Sequence, residues 1–425
     1  MKKKSNFLRN VTILLKYYYK DAFHGIAKQE WLKNTIMRRL FIFILCAFYV
    51  VYLGINILEA SRVRGGILTQ DSGLIDHALR YTFGSVTSAN GIYGLFVALI
   101  VFMTFSLTPS SLYVSKVMNF SRIEVHFAQI IFKMSVASII FLLLLLVEIS
   151  AISAIPMHAY RMVELLLLSF FAYIAVYVGI DLILSFISSF PGKYGALVLF
   201  ISTVSLAIIG VYFLFDVRFQ IDYWIANQLW SMNTIVAFLF VSTTICLLAG
   251  LLLRMFFIFN MHTRESNRYV HIRIPAKNIV SFVVSAFIRE KLFLLLLILD
   301  VCITIYLLIK NGYEASADIL PFLMASFTIA AIRYGDTTSH MRPILKTLRW
   351  NYIYEGILLT VIYTMFLIPA ISVIIYKGDG LTTLMQFYSL FFSAVIIGFL
   401  FPKSGGNTNE TVSVVMMVCV LVSLV

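Results

Sequence analysis

Charge is the property this sequence has least of. Charged residues make up 12% of the 425 positions, about half of the roughly 25% found in soluble domains. Hydrophobic residues make up 61%. A water-soluble fold cannot bury that much apolar surface. This scarcity excludes a soluble enzyme and predicts an integral membrane protein.

Cysteines and catalytic motifs are also scarce. The four cysteines, Cys46, Cys246, Cys302 and Cys419, fall inside apolar runs and show no CxxC pair or metal-ligand spacing. No GxSxG, HExxH, GxGxxG or Walker A pattern occurs. We therefore expect no metal, no cofactor and no nucleotide-binding motif in this chain, and we do not expect it to be an enzyme. If ATP drives it, a partner subunit must bind the ATP.

Long apolar runs are what the sequence does have. Several reach the roughly 20 residues that a helix needs to cross about 30 Å of hydrocarbon. Backbone groups in lipid must bond internally, so these runs should be helices. We predict an all-α fold, a polytopic transmembrane helical bundle of about eleven spans. They lie near 40–58, 92–112, 126–150, 161–188, 194–215, 233–258, 291–309, 318–333, 351–376, 382–401 and 411–425.

Lysine and arginine placement predicts the orientation. Four basic segments fall on one side of these spans, and basic loops are retained in the cytoplasm. The net charge of +13 is explained in this way, without nucleic acid. A loop over Glu59–Gly91 is expected on the outer side. We predict a multi-pass protein of a bacterial cell membrane with a cytoplasmic N-terminus, in contact with membrane lipid.

The chain divides into four predicted parts. Residues 1–40 form an amphipathic cytoplasmic interfacial segment, in which apolar residues recur at helical spacing among lysines and arginines; a solvated basic tail is the alternative. Residues 41–258 form a first transmembrane half, 259–290 a basic cytoplasmic linker, and 291–425 a second transmembrane half. Aligning Arg122 with Arg349 also aligns Phe105 with Ile332 without a gap, which predicts two parallel pseudo-repeats.

Three carboxylates lie at predicted membrane depth, where an uncompensated charge is costly. Asp181 and Asp300 either line a substrate path or hold helices together, and both interpretations stay open. For Glu148 we favour a position at the outer interface. We find no lysine or arginine at matching depth, so we expect no buried ion-pair relay.

Two basic cytoplasmic turns repeat between the halves. The first contains Lys116, Arg122 and Glu124, and the second contains Arg342, Lys346 and Arg349. Each turn alone is compatible with an ordinary positively charged loop. Their repetition at equivalent places favours docking to a soluble partner, so these six residues are the candidate ATPase-coupling residues.

The chain resembles the membrane-spanning permease subunits of bacterial ABC exporters, of the EcsB-like kind and those of peptide-antibiotic export or immunity. The likeness rests on the entry Gln29–Arg39, the stretch Ser110–Lys133 with Phe120, Ser121, Arg122, Ile123 and Glu124, and its counterpart Arg342–Glu355. In that family a serine–arginine turn precedes the third span at the contact with the ATPase. The second copy, Leu348, Arg349 and Trp350, lacks the serine.

The resemblance implies a permease that pairs with a separate cytoplasmic nucleotide-binding ATPase subunit. It would export a hydrophobic or amphipathic substrate such as an antimicrobial peptide. A secondary transporter driven by an ion gradient is the strongest alternative, because parallel repeats also occur in such carriers. A membrane-embedded lipid-modifying enzyme is a weaker one, and a structural or sensory component is a third.

Overall fold

The computed structural model is helical, and no strand occurs in the residues it describes. Those residues are 7–22, 72–104, 117–118, 120–154, 157–189, 195–228, 230–256, 279–288 and 352–377, with short pieces between 36 and 55 and between 294 and 396. The chain forms two compact units, the first holding most of residues 1–263 and the second most of 264–420. The predicted all-α class is confirmed. The predicted half and linker boundaries stay predictions.

The first unit contains seven of the described α-helices and one π-helical segment. They are α1 (Phe7–Ala22), α2 (Ser72–Thr104), α3 (Arg122–Ala154), α4 (Ala159–Ser189), α5 (Gly195–Tyr212), the π segment (Phe213–Val217), α6 (Arg218–Ala226) and α7 (Met232–Phe256). The π segment joins α5 to α6 without a break, so the three form one long rod.

Five helical segments in the described residues are long and apolar enough to cross a membrane. They are Asp76–Phe102, Arg122–Leu145, Tyr160–Ser189, Val198–Ala226 and Met232–Phe256. The protein is therefore membrane-embedded. The count of eleven spans is not confirmed, because the predicted spans near 40–58, 291–309, 318–333, 382–401 and 411–425 lie wholly or partly outside the described residues.

The second predicted span was placed too far along the chain. We expected a span near 92–112 after an external loop over 59–91, whereas α2 begins at Ser72 and ends at Thr104. Its first half is polar, yet Thr82, Thr87 and Asn90 are buried against neighbouring helices. Hydropathy reports the affinity of a residue for lipid, and these side chains face protein.

The helices of the first unit alternate in direction. Lys133 near the start of α3, Asp181 toward the end of α4 and Arg254 at the end of α7 meet at one end of the bundle. At the other end, Arg80 of α2 donates to the carbonyl oxygen of Gln228, just after α6, at 2.6 Å. We call the first the basic end and the second the opposite end.

Helix α4 lies at the centre of this unit and packs against α2, α3, α5 and α7. Its contact with α2 is close at Gly94, where an added Cβ would overlap the backbone carbonyl oxygen of Tyr173 and lie 3.1 Å from the carbonyl carbon. Small residues let helix backbones approach in this way, and such contacts replace the hydrophobic driving force that is missing in lipid.

Helix α1 has the predicted amphipathic pattern, and its apolar stripe packs on protein. Val11, Leu14 and Tyr18 recur one turn apart and are buried. The Tyr18 ring lies 6.1 Å from that of Phe132 on α3, and Phe7 lies 5.6 Å from Phe127. The stripe is therefore covered by α3, and whether the helix also lies in the membrane interface stays a prediction.

In the second unit, α8 (Ile279–Ile288) packs against α9 (Tyr352–Lys377). Glu355 in the first turn of α9 is buried and accepts a hydrogen bond from the Tyr334 hydroxyl at 2.5 Å. Farther along α9, Tyr363 stacks on Phe391 with ring centres 4.0 Å apart. The pseudo-repeat is not confirmed by these residues and stays a prediction.

Candidate functional site: two buried polar clusters

One buried ion-pair cluster joins three helices near the basic end. The Asp181 carboxylate accepts a hydrogen bond from Lys133 Nζ at 2.8 Å through Oδ1, and its Oδ2 lies 2.9 Å from Arg254 Nη2. The side chains of Lys133, Asp181 and Arg254 are 16%, 10% and 6% exposed. Each carboxylate oxygen therefore faces a cation. We call these three residues the ion-pair triad.

The triad corrects the expectation that no cation lies at the depth of the carboxylates. Lys133 stands eleven residues after Arg122, or about 16 Å along α3. Arg254 occupies the last turn of α7, and its Nη1 also donates to the Asp181 backbone oxygen at 3.1 Å. Because a lone carboxylate in hydrocarbon is costly, the pairing gives Asp181 a structural role that the sequence left open.

Side chains around the triad tie its helices together further. His126 on α3 is buried, and its Nε2 lies 3.0 Å from the Arg254 carbonyl oxygen, the geometry of an N–H donor. The hydroxyls of Tyr177 and Tyr173 on α4 donate to the α3 carbonyls of Lys133 at 3.3 Å and Ala137 at 3.0 Å. The Lys133 ammonium also lies 5.5 Å from the ring centre of Phe102. The region is thus a tightly bonded junction of α3, α4 and α7.

A second polar cluster lies nearer the opposite end. The Asn90 amide Nδ2 donates to Glu148 Oε2 at 2.8 Å, and Ser88 Oγ donates to Asp222 Oδ1 at 2.9 Å. Arg218 Nε is 3.6 Å from Asp222 Oδ2, which is longer than a hydrogen bond. Arg218 also interacts electrostatically with Glu148. We call Asn90, Glu148, Arg218 and Asp222 the carboxylate cluster.

Three polar atoms of this cluster are buried without a hydrogen-bond partner among the described residues. They are Asn90 Oδ1, Asp222 Oδ2 and Arg218 Nε. The Asn90 and Asp222 residues are both 0% exposed. The π segment directly precedes Arg218, and π-helical turns within longer helices occur frequently at functional sites. The cluster therefore combines buried charge, unmatched hydrogen-bonding capacity and local helix irregularity.

The turn before α3 is a capping box. Ser121 N–H donates to Glu124 Oε2 at 2.8 Å, and Glu124 N–H donates to Ser121 Oγ at 3.2 Å, so each residue satisfies a backbone donor at the start of the helix. Asn10 of α1 donates to the other carboxylate oxygen, Glu124 Oε1, at 2.8 Å. The turn is thus fixed from two sides, while Arg122 stays exposed.

Of the nine candidate residues predicted from the sequence, some are exposed, some are buried and some lie outside the described residues. Arg122 is exposed, whereas Glu124 is buried and positions the turn. Asp181 belongs to the ion-pair triad. Glu148 lies six residues before the end of α3 and accepts a hydrogen bond from buried Asn90, and its predicted position at the outer interface stays a prediction. Lys116, Asp300, Arg342, Lys346 and Arg349 lie outside the described residues.

Several site residues were missed by sequence reasoning, and each left a signal. Lys133 interrupts an apolar run within the predicted span 126–150. The capping role of Glu124 was missed, although its spacing from Ser121 is the S-x-x-E spacing of a capping box. Asn90 fell in the predicted outer loop and Asp222 between the predicted spans 194–215 and 233–258, because the helices extend beyond the predicted spans.

No protein-family model matches the chain, and comparisons with curated proteins and with solved structures also find no match. The resemblance to EcsB-like permeases, inferred from short turn motifs, therefore stays a prediction. Within the part of the chain that the structure describes, no group of three His, Cys, Asp or Glu side chains is placed to hold a metal ion.

Proposed function

We propose that this protein is the membrane-spanning permease subunit of an ATP-driven exporter, with ATP bound by a separate cytoplasmic subunit. The observation that carries the proposal is the exposed Arg122 on a turn that is fixed by a capping box and by α1. A docking element has to be both accessible and stiff. A flexible basic loop would be accessible but would not transmit motion.

Helix α3 gives the turn a mechanical connection to the bundle interior. It runs without interruption from Arg122 through Lys133, whose ammonium is bound to Asp181 of α4. Asp181 is bound in turn to Arg254 of α7. A displacement of the turn along the α3 axis would therefore move three helices together. In this proposal the basic end faces the cytoplasm of a bacterial cell, and α1 with the N-terminus lies on that side.

The substrate class follows from the chemistry of the spans. They are apolar, and few of their polar groups are free to replace the hydration of a sugar or an ion. A hydrophobic or amphipathic molecule needs no such replacement, so we propose this substrate class, with a peptide as the first candidate to test. Arg342, Lys346 and Arg349 would form the corresponding docking turn in the second half.

Co-purification and ATPase assays test the proposal. The full chain would be co-expressed with a soluble P-loop ATPase encoded beside its gene, purified as a complex and reconstituted in liposomes. We expect co-purification, and an at least tenfold loss of permease-stimulated ATP turnover in Arg122→Glu, alone or with Arg349→Glu. Lys16→Glu, an exposed charge reversal on α1, is the matched control and should keep the stimulation. Unchanged stimulation in the double variant would contradict the docking role.

The carboxylate cluster favours a second candidate function, a secondary transporter driven by an ion gradient. Glu148, Asp222 and Arg218 lie between helices within the bundle, and carriers of this class use buried carboxylates to bind the coupling ion. The two functions separate in one assay. Export by the reconstituted chain alone, driven by a proton or sodium gradient without any ATPase, would favour the carrier.

A further inference from the structure

The carboxylate cluster contains more negative than positive charge. Glu148 and Asp222 are two carboxylates, and Arg218 is the cation that interacts with both. Among the described residues, the Tyr93 phenol also interacts with Glu148 and Arg218, and a phenol is neutral at pH 7. The neutral groups that donate hydrogen bonds to the two carboxylates are Asn90 and Ser88.

Charges on the neighbouring helix do not correct this imbalance. On α4, Arg161 forms an ion pair with Glu164 at 2.7 Å and donates a hydrogen bond to Asn233 of α7. That pair is balanced within itself. Lys133 and Arg254 are bound to Asp181 at the basic end. The charges named here therefore leave the carboxylate cluster with one excess negative charge.

Three features make this excess unfavourable. Asp222 is fully buried, where water cannot stabilise a carboxylate. It is the fifth of the nine α6 residues, too far from a helix N-terminus to be stabilised by the helix dipole. Its Oδ2 has no hydrogen-bond partner, and Asn90 Oδ1 adds a second buried acceptor without a donor. A proton or a metal cation would be stabilised beside a buried acceptor that has no hydrogen-bond donor.

We infer that Glu148 and Asp222 together hold one bound proton beside Arg218. A proton binds to a single carboxylate oxygen and so balances the cluster charge without further ligands. A metal cation at Asp222 Oδ2 would lie against the Arg218 guanidinium, 3.6 Å away, and would be repelled by it. This inference goes beyond the proposed exporter function and does not depend on an ATPase partner.

The number of bound protons then follows from a simple charge rule. One proton is held for each carboxylate that lacks a cation. Removing either carboxylate by Glu148→Gln or Asp222→Asn leaves one carboxylate for Arg218, so the proton should be lost in both variants. Removing the cation by Arg218→Gln leaves two unmatched carboxylates, so a second proton should be bound.

Infrared spectroscopy counts these protons directly. The full chain would be purified, placed in nanodiscs at neutral pH and measured in H₂O and D₂O, where the C=O stretch of a neutral carboxyl group shifts on deuteration. Relative to the unmodified protein, we expect loss of one carboxyl equivalent in Glu148→Gln and in Asp222→Asn. We expect a gain of one in Arg218→Gln. Glu164→Gln removes a carboxylate that is already paired with Arg161 and should leave the band unchanged.

Two results would overturn the inference. The first is an unchanged carboxyl band in both Glu148→Gln and Asp222→Asn. The second is a band that emerges in the unmodified protein only when sodium is replaced by a large organic cation, since a sodium ion would then occupy the site. If one carboxylate variant does not fold, the other carboxylate variant and the gain in Arg218→Gln still test whether one proton is bound.

Discussion

The ion-pair triad and the carboxylate cluster hold charge inside the same helical unit with opposite balances. In the triad, Lys133 and Arg254 serve one carboxylate, and both Asp181 oxygens face a cation. In the carboxylate cluster, Arg218 serves two carboxylates, and Asp222 Oδ2 has no hydrogen bond. The first arrangement suits a permanent junction between helices. The second suits a group that changes its protonation while the helices stay in place.

The largest expected effect is the loss of the carboxylate at the centre of the triad. In Asp181→Asn, two buried cations lose their shared partner. Breaking a buried ion pair by removing one side costs about 3–5 kcal/mol. We expect the free energy of unfolding in detergent–lipid micelles to fall by that amount, measured by denaturant titration.

Asp76→Asn is the matched control for this change. It breaks an ion pair with Arg80 in which the aspartate is 49% exposed, so the expected loss is below about 1 kcal/mol. Equal losses in the two variants would mean that the triad stabilises the fold no more than a surface ion pair does.

The next effect concerns the close contact of α2 with α4 at Gly94. Gly94→Ala would place a Cβ against the backbone of Tyr173 and force α2 away from α4. Overpacking of this kind costs about 1–3 kcal/mol. Gly179→Ala on α4 is the control, because an added Cβ there meets nothing within 4 Å. If Gly94→Ala unfolds at the same denaturant concentration as Gly179→Ala, the result would contradict the close approach of α2 and α4 at Gly94.

Removing one cation of the triad should cost less than removing its carboxylate. Lys133→Met leaves Asp181 and Arg254 as a balanced pair, so only one charged hydrogen bond is lost, worth about 1.5–3 kcal/mol. The loss should be smaller than in Asp181→Asn. Lys16→Met, an exposed lysine on α1, should change stability by less than about 0.5 kcal/mol. A larger loss of unfolding free energy in Lys133→Met than in Asp181→Asn would contradict the central role of Asp181 in the triad.

Much of the helical architecture was predictable from the sequence. Predicted spans 161–188 and 233–258 correspond to α4 and α7 within two residues at each end. Apolar runs predict such helices because they are long and continuous. The start of α2 was not predictable in this way, because Asn90 and its polar neighbours are buried against protein and lower the hydropathy of a genuine helix.

The candidate site was predictable only in part. Asp181 was recognised as a carboxylate at membrane depth, but its partners were not, because Lys133 and Arg254 are 48 and 73 residues away from it along the chain. Which helices meet is decided by tertiary packing, and hydropathy carries no information about it. Glu124 was taken as a docking residue because it lies in the first basic turn, whereas the capping spacing to Ser121 explains its burial.

The direct comparison of Asp181→Asn with Asp222→Asn tests whether the two clusters have opposite charge balances, since the same chemical change is made in both. We predict that Asp181→Asn lowers the free energy of unfolding by about 3–5 kcal/mol because it leaves two buried cations unpaired. Asp222→Asn should change it by less than about 1 kcal/mol, since Glu148 can then pair with Arg218 and Ser88 can still donate to the new amide. Equal losses, or a larger loss in Asp222→Asn, would contradict the opposite charge balance of the two clusters.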